Sequence, residues 1–103
     1  IVEDGPVVVE LDQVPSGTAI EVRWVAGPAV AVRAAPGSSF SSAEGRVRAT
    51  IVGGPVTVEL PESIDEVSLT VNGRMYLRRS AGSEDVPGPV NERDAERIRF
   101  IVP

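Results

Sequence analysis

Residues 66–79 read Glu-Val-Ser-Leu-Thr-Val-Asn-Gly-Arg-Met-Tyr-Leu-Arg-Arg, and this stretch decides the fold. Val67, Leu69 and Val71 alternate with Ser68 and Thr70; after Asn72-Gly73, Met75 and Leu77 alternate with Arg74, Tyr76 and Arg78. A period of two gives each strand one dry and one wet face. Asn-Gly between two such runs marks a two-residue hairpin, because both turn positions need positive φ. The stretch is therefore an antiparallel hairpin with Met75 and Leu77 expected inward and Arg74, Tyr76 and Arg78 outward.

The same alternation extends in both directions. Val7–Leu11 puts Val7, Val9 and Leu11 on one face, and Thr18–Val25 puts Ile20, Val22 and Trp24 inward. Ala29–Ala34 turns Val30 and Val32 inward, and Ser38–Ser42 is a polar strand around Phe40. Arg46–Val52 exposes Arg46, Arg48 and Thr50, Val56–Leu60 buries Val56, Val58 and Leu60, and Arg97–Val102 buries Ile98, Phe100 and Val102. Gly and Pro fall between these runs as turns: Pro36-Gly37 suits type II, Glu44-Gly45 is a further turn, and Gly53-Gly54 reads as a second two-residue hairpin. Residues 18–79 are thus expected to form a meander.

The result is an all-β chain, expected to be an antiparallel β-sandwich or partly open barrel of about eight or nine short strands. A β-solenoid is the minor alternative, without a fixed repeat to support it. One domain is expected over 1–103, with an N-terminal segment at 1–6 and a long acidic, Pro- and Gly-rich loop at 80–96. Within that loop Asn91 is placed to cap a single helical turn through Glu96. Pro61–Asp65 is placed to carry the chain from one sheet to the other.

The chemistry is set mainly by what is missing. The 103 residues contain no Cys, no His and no Lys; all ten basic residues are Arg. Disulfides, thiolate metal sites and the commonest general base are excluded. The serines of Ser38-Ser39-Phe40-Ser41-Ser42 have no base to activate them. Gly53-Gly54-Pro55 lacks the Lys and helix of a phosphate loop. Acidic pairs among Glu59, Glu62, Asp65 and Glu66, or Glu84, Asp85, Glu92 and Asp94, lack the spacing of a calcium loop and the aromatic platform of a sugar site. No cofactor and no catalytic or metal residue is expected.

Charge is unevenly distributed. Residues 18–79 hold seven Arg and six acids, whereas residues 1–17 hold four acids and no base, and the whole chain is −5. The outward Arg set of the body is Arg23, Arg33, Arg46, Arg48, Arg74, Arg78 and Arg79. A net negative chain with four aromatics excludes a nucleic-acid partner. Arg74, Tyr76, Arg78, Arg46 and Arg48 form the expected interaction face, with Tyr76 as an aromatic anchor. The plainer reading is a solvated face of cross-strand charge pairs.

The order VRWVAGPAVAVRAAPGSSFSSAEGRVRA, then GPVTVELPESIDEVSLTVNGRMYLRR, resembles the extracytoplasmic β domains of bacterial membrane-anchored anti-sigma factor-like proteins. The carrying residues are Val22–Val25, Phe40, Gly45-Arg46, Val58–Pro61 and Asn72-Gly73-Arg74. The resemblance covers residues 18–80 and implies a periplasmic or extracellular sensing or scaffold domain, tied to a membrane through a parent segment this sequence lacks. It carries over no functional residue.

Three functions follow. The first is a non-catalytic extracytoplasmic interaction domain of a bacterial envelope or regulatory protein, recognising a protein partner. The second is a self-assembling surface or filament subunit, a homo-oligomer in which Val7, Val9 and Leu11, or Ile98, Phe100 and Val102, pair with a neighbour's sheet edge. The third is a carboxylate-dependent carbohydrate-active enzyme. The start at Ile1 rather than Met suggests a processed or excised piece, and no signal peptide or membrane span is present.

Overall fold

The computed structural model describes residues 7–25, 30–61, 66–80, 83–94 and 96–103. These residues form eleven strands and no helix. They are β1 (Val7–Val14), β2 (Thr18–Val25), β3 (Ala31–Arg33), β4 (Ser39–Ala43), β5 (Arg46–Ile51), β6 (Gly54–Leu60), β7 (Glu66–Val71), β8 (Arg74–Ser80), β9 (Ser83–Asp85), β10 (Val90–Arg93) and β11 (Arg97–Ile101). Sheet A has the order β10-β11-β1-β6-β3 and sheet B the order β4-β5-β2-β7-β8-β9. Both sheets are open, and their inner faces share one core, so the expected sandwich is present and the barrel is not.

The alternation read from the sequence places the core. Val9, Leu11, Val56, Val58, Leu60, Ile98 and Phe100 line sheet A; Ile20, Val22, Val67, Leu69, Val71 and Leu77 line sheet B, and all are buried. Each such side chain contributes about 1.5–3 kcal/mol on leaving water. Trp24 is half-buried at the margin of this core.

The expected meander is corrected. Among the described strands the chain changes sheet at six of its ten connections, and hairpins remain at β4–β5, β7–β8, β8–β9 and β10–β11. Gly53-Gly54 is therefore not a hairpin. Both residues have positive φ, at 131° and 85°, and they swing the chain from β5 in sheet B to β6 in sheet A. Pro36-Gly37 also leads from one sheet to the other, closing with the Ser38 N–H donating to Ala35 C=O at 3.2 Å and with Gly37 at φ 96°. The step from β6 to β7 also changes sheet, as expected for Pro61–Asp65, although 62–65 lie outside the described residues.

Asn72-Gly73 forms the hairpin its sequence demands. The two residues have φ of 50° and 80°, and Val71 faces Arg74. Asn72 also ties the turn to β2: its N–H donates to Ala19 C=O at 2.7 Å, and its Oδ1 accepts the Ala19 N–H at 2.9 Å.

Three further expectations are corrected. First, β1 and β11 pair in parallel, with Val9 beside Ile98 and Leu11 beside Phe100. The strands carrying Val7, Val9 and Leu11, and Ile98, Phe100 and Val102, thus lie inside sheet A, and neither is an edge. Second, the helical turn at Asn91–Glu96 is replaced by β10 and a tight turn. Asp94 Oδ1 accepts the N–H groups of Glu96 and Arg97, each at 2.9 Å, and this local bond competes directly with helix formation.

Third, the pairing of β7 with β8 slips between Leu69 and Thr70, so Leu69 faces Leu77 while Thr70 faces Met75. Tyr76 is the extra residue of this bulge. A bulge inverts the inward–outward phase. Tyr76 is only 5% exposed and Met75 is 40% exposed, the reverse of the expectation. The Tyr76 ring meets Phe100 of sheet A at a centroid separation of 5.1 Å. Gly88 seals the pair: a Cβ there would stand 2.8 Å from Tyr76 and 2.9 Å from Phe100, and its N–H donates to Tyr76 C=O at 3.1 Å. Burial raises the Tyr76 hydroxyl pKa above its usual value, against an opposing pull from Arg74.

Candidate interaction face

The outer side of sheet B is assembled by register. Residues directly opposite one another share a face. One row runs Ala43, Arg46, Arg23, Ser68, Arg78 and Asp85, and the next runs Ser41, Arg48, Glu21, Thr70 and Met75. Three strands, β2, β5 and β8, therefore contribute four arginines to two neighbouring rows. Local sequence explains their exposure, since each occupies the wet phase of an alternating strand.

Arg23 stands directly opposite Arg46, a like-charge pair that costs stability on its own. Glu21 offsets it. Arg48 Nε donates to Glu21 Oε2 at 2.8 Å, Arg23 Nε lies 3.2 Å from Oε1, and Arg46 Nε lies 4.0 Å from Oε2. The hydrogen bond from Arg48 holds the Glu21 carboxyl below the usual carboxylate pKa; partial burial opposes this and Arg23 adds to it. One carboxylate thus serves three guanidinium groups, and the cluster keeps a net positive charge. Beside it, Arg23 and Arg78 flank the small Ser68, and the open groove between them, about 430 Å³, is walled by Trp24, Val25 and Met75.

Of the residues the sequence singled out, Arg46, Arg48 and Arg78 come together on this face. Arg74 sits beside the hairpin turn, exposed, and Tyr76 is in the core. The residues missing from that set are Glu21, Arg23 and Ser68. Their outward phase was visible in the sequence, but their place between β5 and β8 depends on the strand order.

Elsewhere Glu10, Asp12, Glu84 and Glu92 are engaged by arginine. Arg99 Nη2 meets Glu10 at 3.1 Å, its Nε meets Asp12 at 3.2 Å and its Nη1 meets Glu92 at 3.6 Å. The hydrogen bond to Glu10, with Asp12 beside it, raises the Arg99 pKa further above neutrality. Glu84 bridges Arg79 of sheet B at 3.7 Å and Arg93 of sheet A, joining the sheets at one rim. Asp85 stands opposite Arg78, and Asp94 is spent in its turn. Glu62 and Asp65 lie outside the described residues. Among the described residues no three acidic side chains converge as a metal site. No family model, curated protein or solved structure matches this chain.

Proposed function

We propose that this domain is a non-catalytic interaction module that docks an acidic protein surface on the arginine face of sheet B. We place it, from the resemblance of residues 18–80, on the extracytoplasmic side of a bacterial envelope or regulatory protein. The observation that carries the reading is Glu21, one carboxylate set among Arg23, Arg46 and Arg48. A face built only to be solvated needs no such excess of cation in a chain of net charge −5. The absence of His, Cys and Lys supports a binding rather than a catalytic role. The filament alternative has lost the free strands it required, since β1 and β11 are both interior.

Titration with polyglutamate tests this. Binding is expected to weaken about tenfold between low and physiological salt, and again about tenfold in the double variant Arg46→Ser with Arg48→Ser. Binding that ignores both salt and the double substitution would sink the proposal.

A further inference from the structure

The two sheets present four edges among the described residues: β10 and β3 in sheet A, β4 and β9 in sheet B. Three are guarded in the ways edge strands usually are. β3 and β9 are each three residues long, and they carry Arg33, and Glu84 with Asp85, respectively. β10 carries Glu92 and Arg93 and is broken by a register shift after Val90. β4 has none of these devices. Its five residues, Ser39–Ala43, are uncharged, contain no Pro, pair with β5 without a register break and are all exposed. An edge strand aims alternate backbone N–H and C=O groups into solvent, where another extended chain can take them up.

The flanks of β4 specify that chain. On the outer side Ser39, Ser41 and Ala43 are small, and Thr50, Arg48 and Arg46 stand directly behind them. An added strand would lie two strand spacings, roughly 10 Å, from β5. Arg46 and Arg48 lean towards Glu21 on β2, and would turn across the small residues of β4 to meet its carboxylates. On the inner side Phe40, opposite the buried Ala49, is 48% exposed. We infer that β4 takes up an extended acidic segment of a partner protein as a seventh strand of sheet B. The segment carries carboxylates at alternate positions on the arginine side and an apolar side chain over Phe40. The inference rests on the acid-binding reading of this face and adds its mode, strand addition. A second copy is the poorer occupant, since its β4 would bring only Ser39, Ser41 and Ala43 to the arginine side and no carboxylate.

The probe is a fluorescent peptide of roughly eight residues alternating Val and Glu, titrated onto the whole chain. Its comparators are a Val–Lys peptide and a Val–Glu peptide with alternate amides N-methylated. Strand addition predicts slowed hydrogen exchange at β4 amides and binding at least about tenfold weaker for each comparator. Ser41→Glu places a carboxylate opposite Arg48, which supports the fold, and is expected to weaken the Val–Glu peptide about tenfold with the melting temperature held. If the N-methylated peptide binds equally and no β4 amide is protected, strand addition falls while the acid-binding face stands. If neither the peptide nor polyglutamate binds, both fall. If the free protein dimerises with its β4 amides already protected, the edge belongs to a second copy and the inference is overturned.

Discussion

The outer faces of the two sheets are built around charge centres of opposite sign. On sheet A a single arginine, Arg99, is ringed by Glu10, Asp12 and Glu92; on sheet B a single carboxylate, Glu21, is ringed by Arg23, Arg46 and Arg48. Arg99 bonds two of its nitrogens to one carboxylate and reaches three acids, and Arg97 adds a second cation to Glu10 at 3.4 Å. Sheet A thus comes near internal neutrality. Among the described residues Glu21 is the one acid ion-paired to these three guanidiniums, with Glu66 at the wall of the adjoining groove, so a surplus of positive charge faces solvent there. Two faces of the same pattern, wet residues on alternating strands, therefore differ in what they can attract.

The comparison breaks most completely if the sheets lose their mutual alignment. Tyr76 and Phe100 are the aromatic contact between them, and Tyr76→Ala is expected to cost about 3–5 kcal/mol, read by chemical denaturation. Gly88→Ala, which drives a methyl group into the same pair, is expected to cost about 1–3 kcal/mol. A neutral result at Gly88 would show that the loop before β10 does not seal the core.

Smaller changes sharpen the contrast. Glu21→Gln leaves three arginines without their acid; it is expected to lower stability by up to about 1 kcal/mol while strengthening polyglutamate binding about twofold to threefold. Arg99→Gln is expected to leave that binding unchanged, since the centre on sheet A plays no part in it. Equal effects of the two substitutions on binding would erase the distinction between the faces.

The pH dependence follows from Glu21, whose folded pKa is depressed by Arg48. Its contribution is complete above the unfolded carboxylate value, about 4.3, and is lost as pH falls through the lower folded value. Acid denaturation of the parent and of Glu21→Gln should therefore converge at the acid end. Tyr76 acts at the other extreme: its raised pKa favours the neutral form in the fold, so its contribution is full below about pH 10 and fades as pH rises through the folded value.

Much of the fold was legible because alternation is local. Val67, Leu69 and Val71, or Val56, Val58 and Leu60, declare their dry face within six residues, and Asn72-Gly73 declares its hairpin in two. Tyr76 was misread because one unpaired residue opposite Leu69 and Thr70 inverts the phase, and no residue type in Arg-Met-Tyr-Leu announces that slip. Gly53-Gly54 was misread because positive φ serves a sheet crossing as well as a hairpin. Asn91 reads as the cap of a helical turn through Glu96, but Asp94 spends its carboxylate on a turn that lets β10 complete sheet A.

The sequence by itself determined that this chain is all-β, which residues of most strands are wet and which dry, and that Cys, His and Lys are absent. Tertiary structure alone decided which strands are neighbours. That choice places Arg46 beside Arg23 and Glu21, buries β1 and β11 within sheet A, and leaves β4 as the open edge. The physical reason is that a side chain's phase depends on its own strand, whereas a sheet's charge pattern and its edges depend on pairings between segments far apart in the chain. Those pairings are settled by which dry faces close over one another, and the alternating pattern carries no label for its partner.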